Sequence, residues 1–411
     1  MWPTQSEIDA LKSEVASCAG VQPEEVNVVV SPYRVCPLGA HIDHQGGPVT
    51  AVAVDLGVLL AFATQNSPEI QLASHNFDEK VCFNLREVQE RAEGEKVGGV
   101  NWGAYVRGAV LALKARGHEL QKGLVGVVKG ADGADGGGIS SSAAFGCAIL
   151  LALEHANDLQ VNEQENIKLD QHIENVYMGL KNGILDQSAI LLSRACHLTA
   201  INCRDYTHKL VPPPWLGSSA PVKFMLAFSG IRQPLAATPG YNMRVDECTS
   251  AARILQTAVA RPDEPALLGT LTIDEFNIHR GLLDNERLRR AEHFFGECQR
   301  VHKGIEAWSA GDMVTFGKLM SQSGESSITK YECGSEPLIQ LREILLNTKG
   351  VLGARFSGAG FRGCCVALVD AGEALLAVEE VKSKYAQVQP ELAAQGQVLV
   401  LDTTDGARLL S

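Results

Sequence analysis

Apolar positions along this chain switch between two spacings. In "SEIDALKSEV" they recur three and four residues apart, at Ile8, Leu11 and Val15, which predicts an amphipathic helix with Ser6 as its N-cap. "VNVVVSPYRV" is dense in β-branched residues instead and predicts a strand; "PVTAVAVDLGVLLAFA" continues as one or two more. Helical spacing returns in "NWGAYVRGAVLALKARG" and stops at Gly117. Then come a strand in "GLVGVVK", a glycine-rich loop in "GADGADGGGISSS" and a long helix beyond it. "QENIKLDQHIENVYMGLKNG" predicts a further helix, ended by Gly183.

Proline and glycine break both periodicities in "VPPPWLGSSAP", residues 211–221, the best boundary candidate. "VKFMLAFSG" follows as a strand, and helices dominate from about Met243 to Leu346. "GARFSGAGFRGCCVALV" is a turn-rich block entering a strand, and a helix and a strand, "GQVLVLD", close the chain. Strands and helices mix in both halves, so the fold class is α/β or α+β. A chain of 411 residues exceeds one ordinary core, so two domains are expected, 1–215 and 216–411.

Composition narrows the partners. A formal charge of −12 argues against nucleic acid, whose phosphates need a basic face, though a local pocket can still oppose that sign. No apolar run is long enough to span a membrane, and the start lacks a basic segment followed by an apolar one. The eleven cysteines show no C-x-x-C spacing; they read as buried small hydrophobes in a reducing compartment, so the expected location is cytoplasmic.

Candidate chemistry lies in three blocks. In "RVCPLGAHIDHQGG" the residues Arg34, His41, Asp43 and His44 stand together, open to a metal, a substrate or a plain turn. "GGGISSSAA" carries Gly136, Gly137, Gly138, Ser140, Ser141 and Ser142. Glycines let a backbone approach phosphate, and serines at a helix start cap it where its positive end favours anions. The block is neither a Walker loop nor a dinucleotide fingerprint; a flexible loop before a capped helix is the plain alternative. "GARFSGAGFRGC" adds a second glycine-dense turn. Glu174 and Asp186 suit a phosphotransferase, which needs a carboxylate for a divalent cation and another near the attacking hydroxyl.

These blocks, with "NWGAYVRG", "IENVYMGLKNGILDQ", "YNMRVDEC" and "FGKLMSQS" in order, resemble the GHMP kinase superfamily and its galactokinase-type sugar 1-kinases. The resemblance implies a two-domain fold with the active site in the cleft between the domains, and ATP and Mg2+ as partners. It matches Asp186 and Arg34 to the catalytic pair, and Ser141 and Glu174 to the magnesium positions. Trp102 falls near adenine, with Gly136, Gly137, Gly138, Ser140, Ser141 and Ser142 at the phosphates. His41, Asp43, Gly183 and Tyr241 match sugar-holding positions, to which Ala40, His44 and Ala359 are added as substrate contacts. Many such enzymes are monomers, and so is this one expected to be.

One departure changes the expected substrate. The family reads Glu-His-x-Asp-Tyr where this chain reads "AHIDH", so a glutamate that partners the sugar's C6 hydroxyl is replaced by Ala40. Two like charges about 4 Å apart repel by about 4 kcal/mol at an effective dielectric near 20, roughly a thousandfold in binding. A retained glutamate would exclude a sugar acid; Ala40 admits one, and His44, when protonated or donating, attracts it. The pattern resembles the plant-type galacturonokinases, with D-galacturonic acid phosphorylated at C1. A galactokinase in which Ala40 is neutral drift, and a non-catalytic sugar and ATP sensor, are the other readings. Arg362 departs too, standing where the family has glycine, next to the second turn.

Overall fold

The computed structural model describes residues 2–89, 102–131, 137–231 and 240–410. The chain opens with helix α1 (Gln5–Ala19), then strands β1 (Asn27–Val35), β2 (Pro48–Gln65), β3 (Glu69–Ser74) and β4 (Val81–Asn84). Helix α2 (Trp102–Ala115), strand β5 (Gly123–Lys129) and helices α3 (Ser141–Ala156), α4 (Glu163–His172) and α5 (Leu185–Leu192) follow, before strands β6 (Leu198–Asn202) and β7 (Thr207–Val211). Past the proline-rich connection come β8 (Val222–Phe228) and helices α6 (Gly240–Ala258), α7 (Ile273–His279), α8 (Asn285–Ala310), α9 (Met313–Ser326) and α10 (Glu336–Leu346). Strands β9 (Val351–Phe356) and β10 (Cys364–Asp370), helices α11 (Ala374–Val388) and α12 (Pro390–Ala393), and strands β11 (Val398–Leu401) and β12 (Arg408–Leu410) complete it.

Two sheets organise these elements. One runs β12-β1-β2-β5-β3-β4, with β6 and β7 hung on β2; the other runs β11-β8-β10-β9. The connection 212–221 links them, and β12 then returns to pair with β1, so the chain's tail belongs to the first sheet. One core joins both halves: Leu38 of the first packs so closely on α8 that a Cβ on Gly304 would lie 2.1 Å from its Cδ1.

Several local expectations change. The α1 N-cap is Thr4 rather than Ser6, because Thr4 and Glu7 form a reciprocal capping box. "PVTAVAVDLGVLLAFATQ" is one strand, partnered by β1 along both its halves, by β6 near its start and by β5 near its end. Helix α4 is not carried to Gly183; it widens into a π-turn at Ile173–Tyr177, and the chain turns away at Gly179, whose φ is +72°. All eleven cysteines are free. Among the described residues, no helix is long and apolar enough to cross a membrane.

Candidate active site

The site begins where β1 is irregular. Pro32 pairs with Gly57 but Tyr33 pairs with Val54, so the register slips just before Arg34 and re-aims the strand end. The Arg34 guanidinium is buried, with Nε 2.8 Å and Nη2 2.7 Å from the same Asp186 oxygen, Oδ1. Its Nη1 also donates to the Gly138 carbonyl, at 3.2 Å. Burial opposes the Arg34 charge, but Asp186, helped by Cys36 and Asp43, offsets it and the guanidinium is held above its ordinary pKa. Asp186 lies in the first turn of α5, where the helix dipole favours an anion, and its side chain is 25% exposed. A buried cation thus backs a carboxylate that keeps some contact with solvent.

The two glycine-rich segments meet beside this pair. A Cβ on Gly138 (φ +78°) would lie 2.6 Å from the Ser357 carbonyl oxygen, and one on Gly363 (φ +93°) would lie 2.5 Å from that of Gly137. Only glycine permits backbones to nest this closely in a left-handed conformation. Ser357 Oγ donates to the Gly138 carbonyl at 2.8 Å. Gly136 lies outside the described residues.

The serines do not cap α3 as expected. Ser140 occupies the N-cap with φ +60°, outside the extended region from which a cap side chain reaches the first amides, and makes no capping bond. Its buried hydroxyl has no partner among the described residues. Ser141 begins the helix, while Ser142 Oγ donates to Glu174 Oε1 at 3.0 Å. Asn182 holds the other Glu174 oxygen at 2.6 Å. Burial first and Asp186 second push Glu174 up to about 7. Asp170, one turn earlier and fully buried, has no hydrogen-bond partner for either oxygen among the described residues and is pushed well up by burial, Glu174 and Asp186. Carboxylates crowd around Asp186, and Arg34 is the one cation bonded to it among the described residues.

The loop carrying His41, Asp43 and His44 docks against the same helix start. Asp43 Oδ2 accepts from the Leu185 amide at 3.4 Å, and a Cβ on Gly183 would lie 2.3 Å from that oxygen. Burial and then Asp186 raise Asp43 to about 6. His41, buried at φ +60°, stacks on Tyr331 at 4.3 Å between ring centroids, with Cys333 Sγ 3.4 Å from its Nε2. His44 Nε2 lies 3.2 Å from the Tyr331 hydroxyl, and its ring meets Tyr241 edge-on at 6.4 Å. Burial, then His293, lower His41 well below the usual histidine range and His44 to about 4, so both rings are neutral. Ala40 is buried. Ala359 sits between Gly358, packed on Gly138, and Gly360, packed on Cys333, the residue that touches His41.

Trp102 is not brought into this cluster. Its ring packs near Phe77 and Phe145, and its indole N–H donates to the Glu79 carbonyl at 3.2 Å. Sequence reasoning missed Tyr331, Asn182, Asp170 and Ser357, and the α8 pair His293 and Glu297 that holds the Ala40 peptide. A helix face carrying histidine and glutamate four apart in "EHFFGE" was the only signal for that pair.

Residues 104–194 match the GHMP kinases N terminal domain, and residues 302–387 match the GHMP kinases C terminal family. Over the whole chain and 99% of its relative, identity to a galacturonokinase of Arabidopsis thaliana is 48%. The chain belongs to the GHMP kinases. A galactokinase from Roseiflexus is 32% identical over 85% of each chain. Among solved GHMP kinase folds, a Lactococcus lactis galactokinase complexed with galactose superimposes with a TM-score of 0.85, at 29% identity, over 98% of this chain and 99% of that one. A mevalonate kinase at 16% identity, TM-score 0.60, shares the fold.

Proposed function

We propose that this GHMP kinase transfers the γ-phosphoryl group of ATP to the anomeric hydroxyl of D-galacturonic acid, giving galacturonic acid 1-phosphate and ADP. The observation that carries the reading is Ala40, with no acidic side chain of its own, in a loop docked through Asp43 on the turn that presents the Arg34–Asp186 pair. The 48% identity to a galacturonokinase supports the substrate, against 29–32% for the galactokinases above.

In this reading the sugar O1–H bond breaks as the O1 electron pair forms the new bond to phosphorus. The bond from phosphorus to the β-phosphate oxygen breaks, and ADP leaves with that pair. Asp186 orients the hydroxyl and takes its proton late, or acts by charge alone while the proton passes to an oxygen of the transferred phosphoryl group. Arg34 keeps Asp186 ionised and stabilises charge on the moving phosphoryl group. Gly137, Gly138 and the unpartnered Ser140 hydroxyl line the phosphates, with Trp102 toward the adenine. A magnesium ion fits the donor set of Ser141 or Ser142 and Glu174, and would supply charge neutralisation of the ATP phosphates. His41, Asp43, His44, Gly183, Tyr241 and Ala359 surround the sugar. We take the chain to work as a monomer in the cytosol, in keeping with its unbridged thiols.

The structural match to a galactokinase complexed with galactose favours a second reading, with galactose as acceptor. A coupled ADP-release assay on the full chain separates the two. Higher kcat/KM with galacturonate than with galactose is expected; the reverse order refutes the substrate while leaving the kinase intact.

A further inference from the structure

Behind the sugar loop lies a polar cluster that phosphoryl transfer does not use. Glu297 Oε1 accepts from the Gly39 amide at 2.8 Å and from the Ala40 amide at 3.2 Å. One turn earlier on α8, His293 Nε2 lies 2.8 Å from the Ala40 carbonyl oxygen, and Nδ1 lies 2.9 Å from Ser326 Oγ. A carbonyl only accepts, so Nε2 donates and Nδ1 accepts from the serine, which is the neutral ring's pattern. Burial accordingly lowers His293 to about 4. Both polar atoms of the Ala40 peptide are therefore held by one helix of the other half of the chain.

The holder carries a charge. Glu297 is fully buried, and burial alone would raise its pKa, yet Arg300, His293 and Arg355 hold it down at about 2. Ser323 Oγ donates to Oε1 at 2.5 Å, and Arg300 Nε and Nη2 each lie 2.6 Å from Oε2. A carboxylate thus stands directly behind the position where the side chain has shrunk to a methyl.

We propose that His293 and Glu297 are positioning residues that fix the Ala40 peptide from α8, and that Arg300 cancels the Glu297 charge so that an anionic sugar can sit in front of it. The second half rests on the galacturonate reading. Losing the loop glutamate is not enough to admit a sugar acid if another carboxylate a few ångströms further back is uncompensated. At roughly 8 Å and an effective dielectric near 20, like charges weaken binding about thirtyfold, and about tenfold once solvent screening is allowed for.

The test uses the purified full chain and the KM values for galacturonate, galactose and ATP. Arg300→Met is expected to raise the galacturonate-to-galactose KM ratio about tenfold with KM for ATP unchanged. Arg300→Lys, which keeps the charge, should hold the ratio near wild type. Arg300→Met combined with Glu297→Gln, which removes both charges and keeps the acceptor, should restore it. An unchanged ratio in Arg300→Met overturns the charge argument, and so does a ratio that the double variant fails to restore. The clip is read on the wild-type protein, so no variant has to fold: the Gly39 and Ala40 amides should exchange slowly with solvent in the absence of sugar, and fast exchange overturns it. A wild-type enzyme that refuses galacturonate and uses galactose removes the Arg300 half along with the substrate reading; the exchange result still decides the clip.

Discussion

Asp186→Asn separates the chemistry of the site from its architecture. Both Arg34 contacts go to one oxygen, Oδ1, at 2.7 and 2.8 Å. An asparagine can keep its amide oxygen there and turn its NH2 to where the second carboxylate oxygen was. The fold then loses charge attraction but not the hydrogen bonds. Full attraction at about 4 Å and an effective dielectric near 20 is about 4 kcal/mol. Asp186 is a quarter exposed and Arg34 keeps its bond to Gly138, so the stability loss should be nearer 1–2 kcal/mol, a Tm drop of about a few degrees. Catalysis has no such substitute, because an amide cannot take the O1 proton and adds no negative charge. A drop in kcat of about 10²–10⁴ is expected, with ATP affinity within about twofold. Single-turnover ADP formation and calorimetric ATP binding, run beside a melting curve, measure all three quantities. A kcat within about tenfold of wild type refutes the role of Asp186. Equal losses of activity and of ATP binding would mean that the pair only builds the pocket.

Ala40→Glu should weaken galacturonate binding by up to about a thousandfold and galactose binding far less; equal losses in the two KM values would point to crowding alone. Gly183→Ala would place a Cβ 2.3 Å from Asp43 Oδ2 and 2.6 Å from the Asp43 carbonyl carbon, a backbone atom that cannot swing aside. Sugar KM should rise about tenfold or more with ATP KM unchanged, and an unaltered sugar KM would show that the loop does not rest on this turn. Acid should destabilise the fold in two stages. The folded-state pKa of His293 is lowered to about 4, so the unfolded chain takes up that proton first and stability falls between about pH 6.5 and 4, by a few kcal/mol. Glu297 is held at about 2, so its contribution is lost as pH falls from about 4.5 toward 2. Asp43 and Glu174, held at about 6 and 7, shift the opposite way over the same range, so the His293 share is read as the Tm difference between wild type and His293→Gln; a difference that does not change from pH 7 to 4 contradicts the buried neutral imidazole.

The short-range part of this molecule was written in its sequence. β-branched runs gave β1 and β5, an apolar run gave β8, helical spacing gave α1, α2 and α3, and the three motif blocks lie on adjoining loops. Even the α1 cap was readable: Thr4 and Glu7 carry the capping-box spacing, and Ser6 distracted because it too is a good cap residue with an acid three positions on. What the sequence hid came from elsewhere in the chain. His293 and Glu297 look like the polar face of an amphipathic helix until the loop bearing Ala40, some 250 positions earlier, is laid on that face. The serine run reads as a cap by composition, but the left-handed backbone at Ser140 sends its hydroxyl away from the α3 amides. The π-turn that sets Glu174 beside Ser142 and Asn182 has no residue signature, because it depends on those partners.

The charges of the site divide it into two ends. Asp43, Asp170 and Glu174 are each raised in part by Asp186, after burial, so these acids share one neighbourhood. That end suits a nucleotide brought in with a divalent cation, since a cation would let these crowded, raised acids ionise where a single bonded arginine does not. The other end is lined by imidazoles that burial keeps neutral, by the Tyr331 ring and hydroxyl, and by an Ala40 peptide whose N–H is already taken by a compensated glutamate. An anion is costly among the carboxylates and far less costly here, where it meets dipoles and polarisable rings. A sugar acid therefore has one orientation in which its carboxylate avoids the acid cluster. On the proposed function, that orientation would bring C6 to the Ala40 loop and C1 to Asp186. On the same reading, the arrangement that tolerates the sugar's charge would also present its anomeric hydroxyl for phosphorylation, so the substrate's charge and the choice of reacting oxygen would follow from one electrostatic asymmetry.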